Sequence, residues 1–149
     1  MKEKFSEKIQ EIMNERFHHD SLIALATMDG TKPWVRTVNS FYEDGAFYVI
    51  TYALSNKMQQ IKVNPTVAIC GDWFTAHGIG ENLGHILCEE NAEMADKLRS
   101  AFSSWYNNGH TDEEDPNTCI LRIQLTEGVL MADGSSYEID FTNGNKYEN

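Results

Sequence analysis

Basic residues are scarce: 12 Lys and Arg stand against 23 Asp and Glu, for a formal net charge of −11. Phosphate-rich polymers and anionic membrane surfaces need a basic footprint, so neither nucleic acid nor a lipid surface is expected as a partner. Any anionic ligand then has to be held by local cations and backbone N–H groups. Cysteine is sparse too, because Cys70, Cys88 and Cys119 are an odd, widely spaced set without a C-x-x-C pair. That spacing argues against disulfide staples and against a zinc site. With 3 prolines and no stretch rich in Pro, Gly or Ser, the chain offers no linker, and residues 1–149 read as one domain. Nowhere does an apolar run approach the ~18 residues that span a bilayer. The opening MKEKFSEKIQEIMNERF alternates charge with apolar residues where a secretory leader needs an unbroken apolar core. These absences predict a cytoplasmic chain with reduced thiols.

The usual catalytic signatures are also missing. There is no Walker sequence, no G-x-S-x-G elbow and no H-E-x-x-H, and Gly78, Gly80 and Gly84 have the wrong spacing for a dinucleotide fingerprint. Carboxylate runs such as Glu89-Glu90 and Glu113-Glu114-Asp115 read as solvated faces. His77 and His85 are eight apart on one segment, too few for a metal site and better suited to a structural place or a ligand edge.

What is present is a regular alternation of apolar and polar residues. Phe5, Ile9, Ile12, Met13 and Phe17 recur at helical spacing, which predicts an amphipathic helix over 3–17, with His18 and His19 at its carbonyl end. Strands are expected over 21–28, 34–42 and 46–52, joined by turns at Asp29-Gly30 and Glu43-Asp44-Gly45 into an antiparallel meander. A short helix over 56–63 follows, with Ser55 as N-cap and Asn64-Pro65 as its stop. A fourth strand covers 66–72, and 73–89 reads as a long bent fifth strand whose glycines mark bulges or close backbone approach. A second major helix is expected over 91–105, an acidic loop over 107–117, and a sixth strand over 118–125. A last hairpin would join 128–132 to 137–141 across Asp133-Gly134, with a frayed tail beyond it. Six or more short strands with three helices predict a mostly β fold, a small antiparallel Greek-key barrel with helices as plugs.

Two cations stand out in this acidic chain. Arg36 lies in the otherwise apolar or hydroxylated strand VRTV, and Lys57 opens the helix that starts at 56. A guanidinium fork suits a phosphate or a polar ring edge. A lone lysine at the positive end of a helix dipole is unfavourable unless an anion joins it, and Ser55, Asn56 and the free N–H groups there would complete an anion site. The competing reading pairs Arg36 with a carboxylate across the sheet and leaves Lys57 in water. On chemistry alone the two stand level.

The order RTV, a strand ending ITY, then SNKMQQIKVNP and VAICG resembles the FMN-binding split-barrel proteins related to pyridoxamine 5′-phosphate oxidase, in their general-stress-protein and nitroimidazole-resistance-like branch. The resemblance implies a six-stranded split barrel that forms a homodimer, with FMN in two equivalent interfacial clefts. It would set Arg36, Thr37 and Val38 along the ring and ribityl chain, and Ile50, Thr51 and Tyr52 on the next strand. Ser55, Asn56 and Lys57 would hold the 5′-phosphate. Trp73, His77 and Trp105 are candidates for a wall supplied by the partner subunit. The function implied is an oxidoreductase acting on a small organic acceptor such as a nitro compound or quinone. The alternative is a non-catalytic module holding flavin or haem, with His77 or His85 as axial ligand. Pyridoxamine phosphate oxidation itself is not expected, because the family's C-terminal Arg-rich, Trp-containing segment has no counterpart here: no Arg follows Arg122 and no Trp follows Trp105.

Overall fold

The alternating pattern forms strands with one buried face, and those strands close on themselves. The structure, a computed structural model, describes residues 6–142 and the backbone of residues 3–4. In chain order the elements are β1 (Glu3–Lys4), α1 (Glu7–Phe17), β2 (Ser21–Asp29), β3 (Lys32–Glu43), β4 (Ala46–Tyr52), α2 (Asn56–Val63), β5 (Thr66–Gly71), β6 (Phe74–His85), α3 (Ala92–Ala101), β7 (Thr118–Ala132) and β8 (Ser135–Asp140). A 3₁₀ turn at Glu89–Asn91 leads into α3. Neighbouring strands run in the order β7-β4-β3-β2-β5-β6, and β6 pairs back onto β7, which makes a closed antiparallel barrel of six strands. Beyond the barrel, β8 extends β7 antiparallel and β1 adds to β8 in parallel.

Ile23, Leu25, Phe47, Val49, Val67, Ile69, Leu121, Ile123 and Leu125 fill the barrel. One end is covered by α1 through Ile9, Met13 and Phe17, whose ring meets Phe47 edge-on at 5.3 Å. Helix α2 leaves the far end of β4 and plugs that side with Met58 and Ile61. It reaches the wall because Gly80 has no side chain: a Cβ there would sit 3.0 Å from Ile61 Cγ2. A second apolar cluster, with Phe41, Ile86, Leu98, Phe102 and Ile120, lies under α3.

The barrel is split between two of its strands. β3 pairs with β4 only from Phe41↔Tyr48 to Glu43↔Ala46. Further along, β3 keeps β2 on one side and β4 keeps β7 on the other, so unpaired backbone N–H and C=O groups of β3 face the gap.

Four expectations change. The first helix begins at Glu7, since Ser6 is extended and accepts the Ile9 N–H at 3.4 Å, while Glu3–Lys4 joins the sheet. The place given to Phe5 and the tail over 143–149 lie outside the described residues. Helix α3 ends at Ala101; Phe102 and Tyr106 stay buried, but turns carry them there. The strand expected over 118–125 and the hairpin arm over 128–132 are one element, β7. Its register against β6 shifts between His77 and Gly78, so Thr126 is unpaired and the alternation changes phase. Finally, the His18 ring leaves the end of α1, with Nδ1 2.8 Å from the Tyr42 carbonyl and its plane against Phe41.

Candidate cofactor site

Helix α2 starts beside the split with an unusual first turn. It contains no acidic residue, and the N-cap Ser55 makes no capping bond with its side chain. Ser55 Oγ is buried and has no hydrogen-bond partner among the described residues. The first helical bond runs from the Gln59 N–H to the Ser55 carbonyl at 3.0 Å, so the amides of Asn56, Lys57 and Met58 precede any intrahelical acceptor. An orphaned hydroxyl, free amides and the Lys57 ammonium thus gather where the helix dipole is positive, an arrangement that suits a phosphate.

Arg36 comes from β3, opposite Leu25, and turns to the inner face at the barrel mouth. Its Nη1 donates to Thr27 Oγ1 at 2.6 Å and to the Leu25 carbonyl at 3.3 Å, and Nη2 donates to Gln60 Oε1 at 3.3 Å. The Thr27 hydroxyl donates in turn to Gln60 Oε1. These acceptors are all neutral. Among the described residues neither Arg36 nor Lys57 forms an ion pair with a carboxylate. The cross-sheet ion pair is therefore absent, and Lys57 is half-buried rather than solvated.

Burial pushes the Lys57 pKa below the ordinary lysine range, and repulsion from Arg36 adds to the fall. Burial also lowers Arg36. Two desolvated like charges are unfavourable together, and an anion placed between them reverses both effects. The thiol of Cys119, opposite Thr51 in register, is pushed up to about 11 by burial, a rise that Lys57 lessens.

The split thus gathers Arg36, Ser55, Asn56 and Lys57, with Thr51 on the adjoining strand. Val38 packs into the core, Thr37 and Tyr52 are exposed, and Ile50 belongs to the cluster under α3. Trp73 and His77 are not part of this group. Trp73 sits at the tip of the β5–β6 hairpin, 75% exposed with φ 62°, and His77 lies on the outer face with Nδ1 3.3 Å from Glu127 Oε2. His85 Nε2 is 2.8 Å from the Glu113 carbonyl, and Trp105 Nε1 donates to Asp20 Oδ2 at 2.9 Å. Sequence reasoning passed over Thr27, Gln60 and Cys119. Thr27 continues the inward positions Ile23 and Leu25, and Gln60 is one helical turn from Lys57, so both carried a readable signal. Among the described residues no group of three or more His, Cys, Asp or Glu is placed to hold a metal ion. No helix there is long and apolar enough to cross a membrane.

Comparison with known proteins agrees with this architecture. The profile of the pyridoxamine 5′-phosphate oxidase family matches residues 6–132. General stress protein 26 of Bacillus subtilis is 28% identical over 130 residues, 84% of this chain and 89% of its own. A NimC/NimA family protein from Clostridium acetobutylicum superposes with a TM-score of 0.66 at 19% identity, covering 91% of this chain and 96% of that one. A FAD-binding protein from Mesorhizobium loti gives 0.63 at 16% identity, over 79% of this chain and 90% of that one.

Proposed function

This chain belongs to the pyridoxamine 5′-phosphate oxidase family, and from that premise we propose that it binds FMN at the interface of a homodimer and reduces a small organic acceptor. The observation that carries the reading is the orphaned Ser55 Oγ in the same first turn as Lys57, which, like Arg36, has no carboxylate partner among the described residues of a chain of net charge −11. These donors fit a phosphate monoester. Ser55, the first amides of α2 and Lys57 supply donors and charge for the phosphate, each charge-assisted bond contributing roughly 1.5–3 kcal/mol. Arg36, braced by Thr27 and Gln60, and the unpaired backbone edge of β3 supply donors for the polar edge of the ring. Thr51 and Cys119 close the floor beneath.

When bound, the flavin supplies hydride and electron transfer, which accounts for a site without an acid–base pair. The protein's part is to bind, orient and exclude water. A cation near the ring's polar edge favours negative charge developing there.

The test is a titration of the flavin-free protein followed by visible absorption. Saturable binding of FMN, with riboflavin far weaker, is the expected result, and a screen of nitro and quinone acceptors with a nicotinamide donor then measures turnover. A protein that ignores FMN, or that takes haem with a Soret band instead, overturns the reading.

A further inference from the structure

We infer that Trp105 and Asp20 are positioning residues that set the opening of the split, by fastening the outer helix α3 to strands β2 and β3. What this tie does to a flavin rests on the function proposed above; what it does to the split does not.

The cluster under α3 lies on the outside of the barrel, because side chains alternate along a strand. Val49 and Leu121 fill the barrel, while the next residues back or forward, Ile50 and Ile120, pack with α3. That outer cluster straddles the seam where β3 and β4 part. Tyr48 and Ile50 belong to β4 and Ile120 to β7, whereas Phe41 is the β3 member of the last pair before the gap. Beyond the end of α3, Trp105 stacks on Phe102 at 5.0 Å and its Nε1 donates to Asp20 Oδ2 at 2.9 Å. The other carboxylate oxygen, Oδ1, accepts from Asn39 Nδ2 at 3.0 Å. Asp20 leads into β2, and Asn39 stands on β3 just past the Phe41↔Tyr48 pair. A body packed on β4 and β7 is thus fastened to β2 and β3 at the point from which the strands diverge.

The split is held at both ends. At its mouth Gln60 of α2 accepts from Arg36 and Thr27. At its closed end the Trp105–Asp20–Asn39 chain does the same work from outside. Lys97 of α3 also reaches β3, but at Glu43, which is paired with Ala46 and lies on the closed side of the seam. The indole has a single N–H to give, and its bond to a carboxylate is charge-assisted, so losing it frees α3 from the β2–β3 side. None of these groups belongs to the phosphate end of the site, where Ser55 and Lys57 follow β4.

The experiment is hydrogen exchange read by mass spectrometry on the flavin-free chain, followed by titration with FMN and with riboflavin. The proteins are the parent, Trp105→Phe, Asp20→Asn, and Asp20→Asn combined with Asn39→Asp. Phenylalanine keeps a ring against Phe102 and loses only the N–H. An amide at position 20 cannot accept from both donors; with a carboxylate at position 39 it donates there and keeps its oxygen for Trp105, so the double variant restores both bonds. Both single variants should exchange roughly tenfold faster over the Phe41–Tyr48 hairpin, with α1 and the β5–β6 hairpin unchanged, and the double variant should return to the parent rate. FMN and riboflavin affinities should fall by the same factor in the single variants and recover in the double. Parent-like exchange in both single variants would overturn the inference, as would acceleration throughout the chain, the mark of a bond that serves general stability alone. Unchanged affinity beside a loosened hairpin, on a chain that binds FMN, would overturn it as well. A loosened and rescued hairpin on a chain that binds neither flavin would uphold the tie and remove the flavin reading alone.

Discussion

Lys57 and Arg36 raise a question of electrostatics that single substitutions answer. If Lys57 contacts the phosphate, Lys57→Ala removes a charge-assisted bond, and FMN affinity should fall by about 1.5–3 kcal/mol, roughly ten- to hundredfold. Riboflavin should bind variant and parent alike, and equal FMN affinity in a fluorescence titration would rule out the contact. The same residue has a stability signature in the flavin-free chain. Its folded pKa lies below the ordinary 10.5, so between those two values the unfolded chain binds more protons. Stability therefore rises with pH across that window, and below it the full penalty of a buried cation is present. Lys57→Met should raise the melting temperature at neutral pH, with the gain shrinking as pH approaches 10.5; thermal melts across pH measure it. At this scale the cations and Ser55 were readable from residue type and position. Thr27 meets Arg36 within the legible β2–β3 hairpin, but the approach of Gln60 was not readable, because the plug helix reaches Arg36 only once it packs on the barrel.

Glycines at the β6–β7 seam and the tie between α3 and the following loop decide how well the elements hold together. A Cβ at Gly78 would lie 2.8 Å from Ile123 Cγ2 and 2.9 Å from the Gln124 carbonyl, and backbone cannot yield. Gly78→Ala should cost about 1–3 kcal/mol in denaturant melts. At Gly80 the three nearest atoms all belong to the Ile61 side chain, so Gly80→Ala should cost less stability but shift α2, and FMN affinity should register it. Equal stability losses at the two positions would contradict this account. Further along, Arg99 donates to Glu113 from Nε at 2.7 Å and Nη2 at 3.1 Å, and Tyr106 donates its hydroxyl to the same carboxylate. Arg99 holds the Glu113 carboxyl below the usual range. A depressed carboxylate contributes stability above its unfolded pKa and loses it as pH falls through the folded value. Glu113→Gln should be less stable than the parent at pH 7, and the gap should narrow on acidification below about 4.5. Most elements were legible because period-two and helical patterns are local. The unity of β7 was not, since one unpaired residue, Thr126, reverses the phase of alternation halfway. The early end of α3 was hidden as well, because Phe102 and Trp105 continue a helical pattern that turns satisfy equally well.

At the scale of the whole molecule, the outer face of the barrel is the feature that a monomer leaves unexplained. Cross-strand register lines up Thr37, Ala24, Cys70, Thr75 and Val129 in one row, and Val35, Ala26, Ala68 and His77 in the next. His77 meets Glu127 in the second row and Glu138 of β8 follows Val129 in the first, so the acidic groups stand at the β7–β8 edge of the face. Trp73 and Met131 stand exposed beside them. A sheet face with its charge confined to one edge suits an interaction surface, and in the proposed homodimer a second copy of the chain covers it. The sequence alone held the charge asymmetry but not the face, which exists only once register aligns five separate strands. Cys70→Glu tests it away from the anion site, because Cys70 is exposed and lies two strands from Arg36. In the folded monomer the change is worth no more than about 0.5 kcal/mol. Across a two-fold axis it sets two carboxylates into an apolar contact, where each unpaired charge costs several kcal/mol. Light scattering should give twice the chain mass for the parent and the single chain mass for Cys70→Glu. FMN affinity should fall with it, although Ser55, Lys57 and Arg36 are untouched. A parent that is monomeric yet binds FMN tightly would confine the site to one subunit, and the barrel face would then need another partner.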